Sequence, residues 1–276
     1  MARPPRIEIA GAVYHVVARG NERRPVFADD IDRSRFLEVL RGAAERYRWK
    51  TLAYCLMGNH YHLLVRTEAC TLARGMRHVN GVYAQWFNRR HDRVGHLWQG
   101  RYKAVLVQQD EHLLVAIRYV VRNPVRAGLT RRVEDWRWTS HHETVGAARP
   151  HVVAVDAVLS YFGADADGGR LHYVRVVGDE ADPPPSPHPL VVGDDAFVAR
   201  HLAGVRPSPE HPQTLVRPSR APLRELVAGP WDDAGLARAN VVHGYSLREL
   251  AAYLGCGVTT VHRRVRGSER MLAGTS

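Results

Sequence analysis

Asn59-His60-Tyr61-His62-Leu63-Leu64-Val65 sets two histidines one residue apart inside an apolar run. On an extended strand alternate side chains share a face, so His60 and His62 stand side by side. Two imidazoles so placed can close on one metal ion, and unpaired imidazoles are costly to bury in an apolar strand. A second pair lies further on, Tyr119 with Asn123 one helical turn later. On a helical wheel Leu113, Leu114, Ile117, Val120 and Val121 form the buried stripe. Tyr119 points roughly 160° from its centre, at about 100° per residue, so it is not a core tyrosine of its own helix. Pro124 disfavours helical geometry at Asn123, which predicts a helix end or kink there and an amide free to act as a ligand.

These residues fit one kind of chemistry, phosphoryl transfer. A tyrosine hydroxyl, with a pKa of ~10, is a poor nucleophile at neutral pH. A divalent ion held by His60, His62 and Asn123 polarises a scissile phosphate, so that the nucleophile needs less activation. Attack by Tyr119 gives a 5′-phosphotyrosine and a free 3′-OH. The bond energy is kept, so the strand can be rejoined elsewhere. The expected cofactor is Mg²⁺ or Mn²⁺; imidazole is a soft ligand for Mg²⁺, and Mn²⁺ should bind at least as well. Spacing alone does not make a site in a chain with 16 histidines, since short patterns have many false positives. The competing reading is a surface tyrosine before a helix-ending Asn-Pro.

The elements that must position these side chains follow in a clear order. Residues 12–18 read as a strand closed by Arg19-Gly20-Asn21 as a turn. Asp29 or Asp30 caps a helix with Phe36, Leu40, Ala43 and Tyr47 at the 3.6-residue period. Strands over 51–57 and 60–65 are joined at Gly58-Asn59 as a tight hairpin. Thr71 caps a second helix with Leu72, Met76, Val79, Tyr83 and Phe87 on one stripe. A fourth strand over 104–108 leads through Asp110 as cap into a third helix over 111–122. Strand, helix, strand, strand, helix, strand is the split βαβ, ferredoxin-like α+β arrangement: a four-stranded antiparallel sheet with helices on one face. The third strand is then central, and the last helix is extra, free to lie across the open face.

Composition narrows the partners. Net charge is +11, with residues 1–150 at +12, 151–239 at −4 and 240–276 at +3. Two basic ends around an acidic middle fit two surfaces for a polyanion. The cations are 37 Arg and 2 Lys, and Arg offers the fork suited to phosphates and guanine edges. Base composition of the coding sequence accounts for such a ratio but not for the segregation of charge. Cys55, Cys70 and Cys256 are far apart and odd in number, so neither a disulfide framework nor a zinc knuckle is expected. With no bilayer-length apolar run and no signal-peptide pattern, the chain reads as soluble and cytoplasmic, associated with the nucleoid.

Ten of the 16 prolines fall between Pro183 and Pro222, which reads as linkers over 183–187 and 206–209 around a small element near 194–203. From Ser246 order returns. Ser246 caps a helix over 247–254, Gly255-Cys256-Gly257 turns, and a second helix follows over 258–266. Leu250, Ala251, Leu254 and Val261 are spaced to pack the two together. This is a helix-turn-helix whose second helix presents Thr259, Thr260, His262, Arg263 and Arg264 outward. The chain divides into a catalytic domain over 1–145, an acidic, Pro-rich connection with short helical elements over 146–239, and a DNA-binding segment over 240–276.

Four runs resemble one family: Tyr14-His15-Val16-Val17-Ala18-Arg19-Gly20-Asn21, Leu56-Met57-Gly58-Asn59-His60-Tyr61-His62-Leu63-Leu64, Gly95-His96-Leu97-Trp98-Gln99-Gly100-Arg101-Tyr102-Lys103, and Arg118-Tyr119 with Asn123-Pro124-Val125-Arg126-Ala127. They occur in the order of the single-tyrosine HUH transposases, REP-associated branch, over residues 10 to about 145. The resemblance implies His60 and His62 as metal ligands, Tyr119 as nucleophile and Asn123 as the helix-borne ligand. It also implies cleavage and rejoining of single-stranded DNA at hairpin-containing, REP-like repeats. Gly58 stands where the family often carries Pro. The closing helix-turn-helix is not universal in the family.

Arg19, Arg23, Arg24, Arg101 and Lys103 form an expected nucleic-acid track, with Trp98 and Tyr102 available for stacking; Thr259, His262 and Arg263 form a second. Monomer and homodimer are both open. An alternative is a catalytically inert DNA-binding regulator built on the same fold. A histidine-triad hydrolase is set aside, because Leu64 stands where a further histidine is needed.

Overall fold

The computed structural model describes residues 7–109, 111–179, 190–202, 223–229, 232–241, 245 and 247–272. Residues 7–179 with 190–193 form one compact unit, and the described residues from 194 on form a second.

The first unit is built on a sheet. Its elements run β1 (Val13–Arg19), α1 (Asp30–Tyr47), β2 (Trp49–Leu56), β3 (His60–Thr67), α2 (Leu72–Arg90), β4 (Lys103–Val107), α3 (Glu111–Val121), α4 (Asn123–Arg126), α5 (His141–Val145), α6 (Val155–Leu159), α7 (Ala166–Gly178) and β5 (Val191–Val192). The strand order is β2-β3-β1-β4-β5, so β3 and β1 are interior. The first four strands pair antiparallel. The antiparallel sheet expected from the sequence is corrected to a mixed one, because β5 joins β4 in parallel. Leu106 N–H and Gln108 N–H donate to the carbonyls of Leu190 and Val192, both at 2.8 Å, which satisfies an edge that would otherwise present unpaired backbone.

Register decides which side chains meet. Val17 lies opposite both His62 and Lys103, Arg19 opposite His60, and His15 opposite Leu64. Opposed residues share a face, so His15, Val17, Arg19, His60, His62 and Lys103 stand on one side of the sheet. The other side carries Tyr61, whose ring packs 4.7 Å from Phe36 of α1 and whose hydroxyl donates to Asn80 of α2 at 2.6 Å. Helices α1 and α2 cover that side; α3 covers the histidine side, with Tyr119 against His62.

Both long helices form where the periodicity puts them. Asp29 caps α1 by accepting from Asp32 N–H at 3.0 Å, and Phe36, Leu40 and Ala43 are buried. All five stripe residues of α2 are buried. Thr71 holds the cap position of α2 without making the side-chain cap; its hydroxyl instead accepts from the Trp49 indole N–H at 3.0 Å. The expected caps Asp110 and Ser246, and the proline segments 183–187 and 206–209, lie outside the described residues.

The unit also takes in residues 146–179, which the sequence assigned to a connecting region. The outer edge of β2 is covered by later chain: Leu56 N–H donates to Trp138 O, Ser140 N–H to Tyr54 O and Ala154 N–H to Thr51 O, at 2.9–3.0 Å. The buried Glu143 carboxylate accepts three backbone N–H groups, from His151, Val152 and Val153, together with the Tyr54 hydroxyl. Such a set satisfies a charge that would otherwise be costly to bury. Helix α7 is clamped to α3, with Arg118 paired to Asp179 at 2.5 Å and Arg122 donating to Val177 O at 3.0 Å.

In the second unit α8 (Asp195–Leu202) is the small element expected near 194–203, followed by α9 (Leu223–Leu226), α10 (Asp233–Val241), α11 (Leu247–Leu254) and α12 (Val258–Leu272). Leu226, Val227, Leu236, Ala239, Leu250, Ala251, Val261 and Val265 make one core. Gly255, at φ 64°, ends α11 in the left-handed region that glycine enters without penalty. Two differences from the sequence reading stand out. Helix α12 runs to Leu272 rather than ending at Arg266, and α9 and α10 belong to the cluster, which therefore starts before residue 240. Among the described residues no helix is long and apolar enough to cross a membrane.

Candidate active site

Three imidazoles and a phenol converge on the histidine face of the sheet. The His60 and His62 ring centroids are 5.1 Å apart. His15, one strand over, stacks on His62 at 5.2 Å and 17°, with its Nε2 2.9 Å from His62 Nδ1. Tyr119, in the last turn of α3, stands edge-on to His15 at 5.7 Å and to His62 at 5.9 Å. The Arg126 guanidinium carbon lies 4.6 Å from the Tyr119 ring centroid, a cation–π contact that holds the ring face. Tyr119 is half-buried, with its ring against the histidines of the sheet.

Asn123 is where the structure refines the expectation. The break falls one residue earlier than predicted, at Arg122 (φ −86°, ψ 0°), and Asn123 opens α4 with Pro124 in its first turn. Its amide is not free: Nδ2 donates to the Tyr119 carbonyl at 2.8 Å. That bond restores a donor to a carbonyl at the end of α3 and leaves Oδ1 as the one amide atom able to ligate a cation. Arg118, which the wheel gave no reason to bury, is 8 % exposed because α7 lies over that flank of α3.

All three histidines are held neutral. Burial pushes His15 down to about 4. Burial, helped by the nearby Arg19, does the same to His60, also to about 4. His62 lies well below the ordinary histidine value, through burial first, then His15, His60, Arg19 and Arg126. A neutral imidazole keeps a lone pair, which is the form that binds metals. Among the described residues no group of three or more His, Cys, Asp or Glu side chains is arranged to hold a metal. His15 spends its near nitrogen on His62, so it is a partner of that ring and not a third ligand. The donors expected for a divalent ion are the two imidazoles, with the Asn123 amide oxygen as the proposed third. That set leaves room for water and phosphate oxygens, which Mg²⁺ and Mn²⁺ prefer.

The expected nucleic-acid track is only partly gathered here. Arg19 is exposed and opposite His60, and Lys103 is exposed on the same face. Arg23 and Arg24 are exposed in the following turn, Arg24 paired with Glu22 at 2.8 Å. Arg101 is exposed just before β4. Trp98 is not a stacking platform at this site. Its ring meets Tyr61 edge-on at 5.5 Å and its N–H donates to Asn80 O at 3.0 Å, on the opposite side of the sheet. In the second unit Thr259, Thr260, His262 and Arg263 are exposed, whereas Arg264 turns inward to pair with Asp233 of α10.

Sequence reasoning missed His15, Asn59 and Arg126 as parts of the site. His15 was visible only as a polar residue in an apolar strand, and its pairing with His62 needs the β1–β3 register. Asn59 carries two hydrogen bonds, to His60 and to the Arg23 carbonyl, though its place in the hairpin marked it only as a turn residue. Arg126 lies one turn beyond a helix break, where the wheel loses its phase.

The family described as "Transposase IS200 like" matches residues 9–123, the stretch that holds every residue of this cluster except Arg126. A curated Haemophilus influenzae protein, named for the REP-associated tyrosine transposases, is 28% identical over 123 residues, covering 41% of this chain and 70% of that protein. A solved REP-associated tyrosine transposase bound to a REP hairpin aligns with TM-score 0.46 at 17% identity, covering 56% of this chain and 92% of its own. A crystal structure of a Deinococcus radiodurans R1 protein described as a transposase aligns with TM-score 0.32 at 18% identity, covering 49% and 97%. Residues 9–123 thus match the IS200-like transposase family, and the chain is similar over 123 residues to a REP-associated tyrosine transposase.

Proposed function

We propose that the chain is a metal-dependent transposase that cleaves and rejoins single-stranded DNA at hairpin, REP-like repeats. The observation that carries this reading is the Tyr119 ring 5.9 Å from His62, a nucleophile beside the imidazole pair in one chain. Tyr119 Oη attacks the scissile phosphorus, the P–O3′ bond breaks, and the phenol proton passes to the departing 3′ oxygen. The product is a 5′-phosphotyrosine and a free 3′-OH. Rejoining is the reverse exchange: a 3′-OH attacks the same phosphorus and the tyrosine oxygen leaves. His60 Nε2, His62 Nε2 and Asn123 Oδ1 are the atoms that would hold Mg²⁺ or Mn²⁺. When bound, the ion supplies charge neutralisation at the phosphate oxygens. Arg126 holds the face of the nucleophile ring, and Asn123 fixes the carbonyl of the same residue, so the phenol is oriented before DNA arrives.

In this reading the first unit is the catalytic domain on a ferredoxin-like sheet, with Arg19, Arg23, Arg24, Arg101 and Lys103 along the single strand. The helices α11 and α12 act as a helix-turn-helix, reading DNA through Thr259, His262 and Arg263. The family match over residues 9–123 and the name of the Haemophilus influenzae relative support a substrate associated with REP repeats. The test is to incubate the full chain with a single-stranded hairpin oligonucleotide and Mn²⁺ or Mg²⁺. A covalent protein–DNA adduct that disappears in Tyr119→Phe is the expected result. Tight binding with no adduct would instead make the chain an inert DNA-binding regulator.

A further inference from the structure

We propose that Asn59 is a positioning residue, which fixes His60 with its proton on Nδ1 and its lone pair on Nε2 and ties that ring to the Arg23 turn. The inference rests on the reading of His60 as a metal ligand.

The amide of Asn59 makes two hydrogen bonds that leave no choice of orientation. The Arg23 carbonyl, 2.9 Å from Nδ2, can only accept, so the Asn59 NH₂ group must face it. Oδ1 then faces His60 Nδ1 at 2.7 Å, and a carbonyl oxygen can only accept in turn. His60 Nδ1 must therefore carry the proton, and Nε2 must be bare. A metal ligand needs that tautomer, and the hydrogen bond on the other nitrogen sets it.

The second bond reaches the basic turn. Glu22 and Arg23 sit at φ 53° and 60°, two successive non-glycine residues in the left-handed region. Such a pair persists only where neighbours hold it. The hairpin supplies that hold: Gly20 N–H donates to Asn59 O at 2.8 Å, Val26 N–H to Gly58 O at 3.0 Å, and the Asn59 side chain closes on Arg23 O. One amide thus joins a strained, arginine-bearing loop to the ring of His60.

Long-range ¹H–¹⁵N NMR of the metal-free full chain, with His60 signals assigned by their loss in His60→Gln, reads the tautomer directly. The expected wild-type pattern is Nδ1–H with a bare Nε2. Asn59→Ala should let the Nε2–H form appear and weaken Mn²⁺ binding, followed by electron paramagnetic resonance, by about 10- to 100-fold. Asn59→Asp keeps an acceptor for Nδ1–H and should hold Mn²⁺ affinity within about threefold of wild type, on the same reasoning. A wild-type spectrum with the proton on Nε2, or Asn59→Ala with unchanged tautomer and affinity, overturns the assignment. If His60→Ala binds Mn²⁺ as well as wild type, the metal reading fails instead, while the metal-free spectrum still decides the role of Asn59.

Discussion

His15 Nε2 lies 2.9 Å from His62 Nδ1, and the two rings stack at 17°. A bare His62 Nε2 requires the proton on Nδ1, and His15 is the group placed to accept it. His15→Phe keeps an aromatic ring against His62 and Tyr119 but removes the acceptor. Mn²⁺ affinity should fall about 10-fold, with the far-ultraviolet circular dichroism spectrum retained. An unchanged titration would reduce His15 to a packing residue.

The same burial makes stability depend on pH. His15 and His60 are each held at about 4 in the folded state, against about 6.5 in an unfolded chain. Between those values the unfolded chain binds more protons, so stability is lost as pH falls from 6.5 towards 4. Urea midpoints measured across pH 7.0 to 4.5 should decline steadily, and His15→Phe should make the decline shallower. A slope unaffected by that substitution would mean the ring is not held neutral.

In the proposed reading Asn123 serves the nucleophile and the cation with different atoms, so the two roles can be separated. Asn123→Asp keeps an oxygen for the metal but loses the N–H that reaches the Tyr119 carbonyl at 2.8 Å. Mn²⁺ should bind at least as tightly as to wild type, because a carboxylate is the harder ligand. Adduct formation should slow by about 10- to 100-fold, as expected when a reacting group loses its set position. Asn123→Ala should lose both. Equal adduct rates for Asn123→Asp and wild type would count against the positioning role.

What the sequence showed of this site tracks how local each signal is. His60 and His62 follow from a period of two within one strand, and Tyr119 with Asn123 from one turn of helix, so both pairs were legible. Where they meet depends on β1–β3 pairing and on the placing of α3 over the sheet, and only the element order hinted at that. His15 stayed hidden because a lone histidine in an apolar strand has no pattern. The burial of Arg118 was unreadable, since its partner Asp179 comes 61 residues later. Residues 146–179 looked like a connection for a related reason: the Glu143 carboxylate and its three amide donors are a tertiary device without periodicity. In the second unit the pattern in α11 and α12 was legible, while α9 and α10, the other half of its core, were not.

The clamp between α3 and α7 should matter to both stability and chemistry. Asp179→Ala leaves the Arg118 guanidinium, 8 % exposed, without its carboxylate. Because the Asp179 side chain is 54% exposed, the cost is set at about 1–2 kcal/mol, below that of a fully buried pair. Urea unfolding of the full chain would measure it. Arg118→Met, which removes the charge along with its need for a partner, should cost less than Asp179→Ala. The reverse order would mean that the arginine contributes packing to the tyrosine helix beyond its charge.

The second unit sets a constraint on how DNA reading is tested. Deleting residues 240–276 would strip Leu250, Ala251, Val261 and Val265 from a core shared with Leu226, Val227, Leu236 and Ala239, and the remainder would expose apolar surface. Point changes on the exposed face of α12 avoid that. Arg263→Ala alters a side chain outside the core, so the fold should be unaffected. If Arg263 meets a phosphate, binding to DNA should weaken across sequences and the salt dependence of log K should flatten by about one unit of slope. If it reads a base edge, affinity for the preferred site should fall by a cost of about 1–3 kcal/mol with the slope little changed. Binding identical to wild type at every salt concentration, for Arg263→Ala and for His262→Ala alike, would remove α12 from the proposed DNA-binding surface and leave recognition to the first unit.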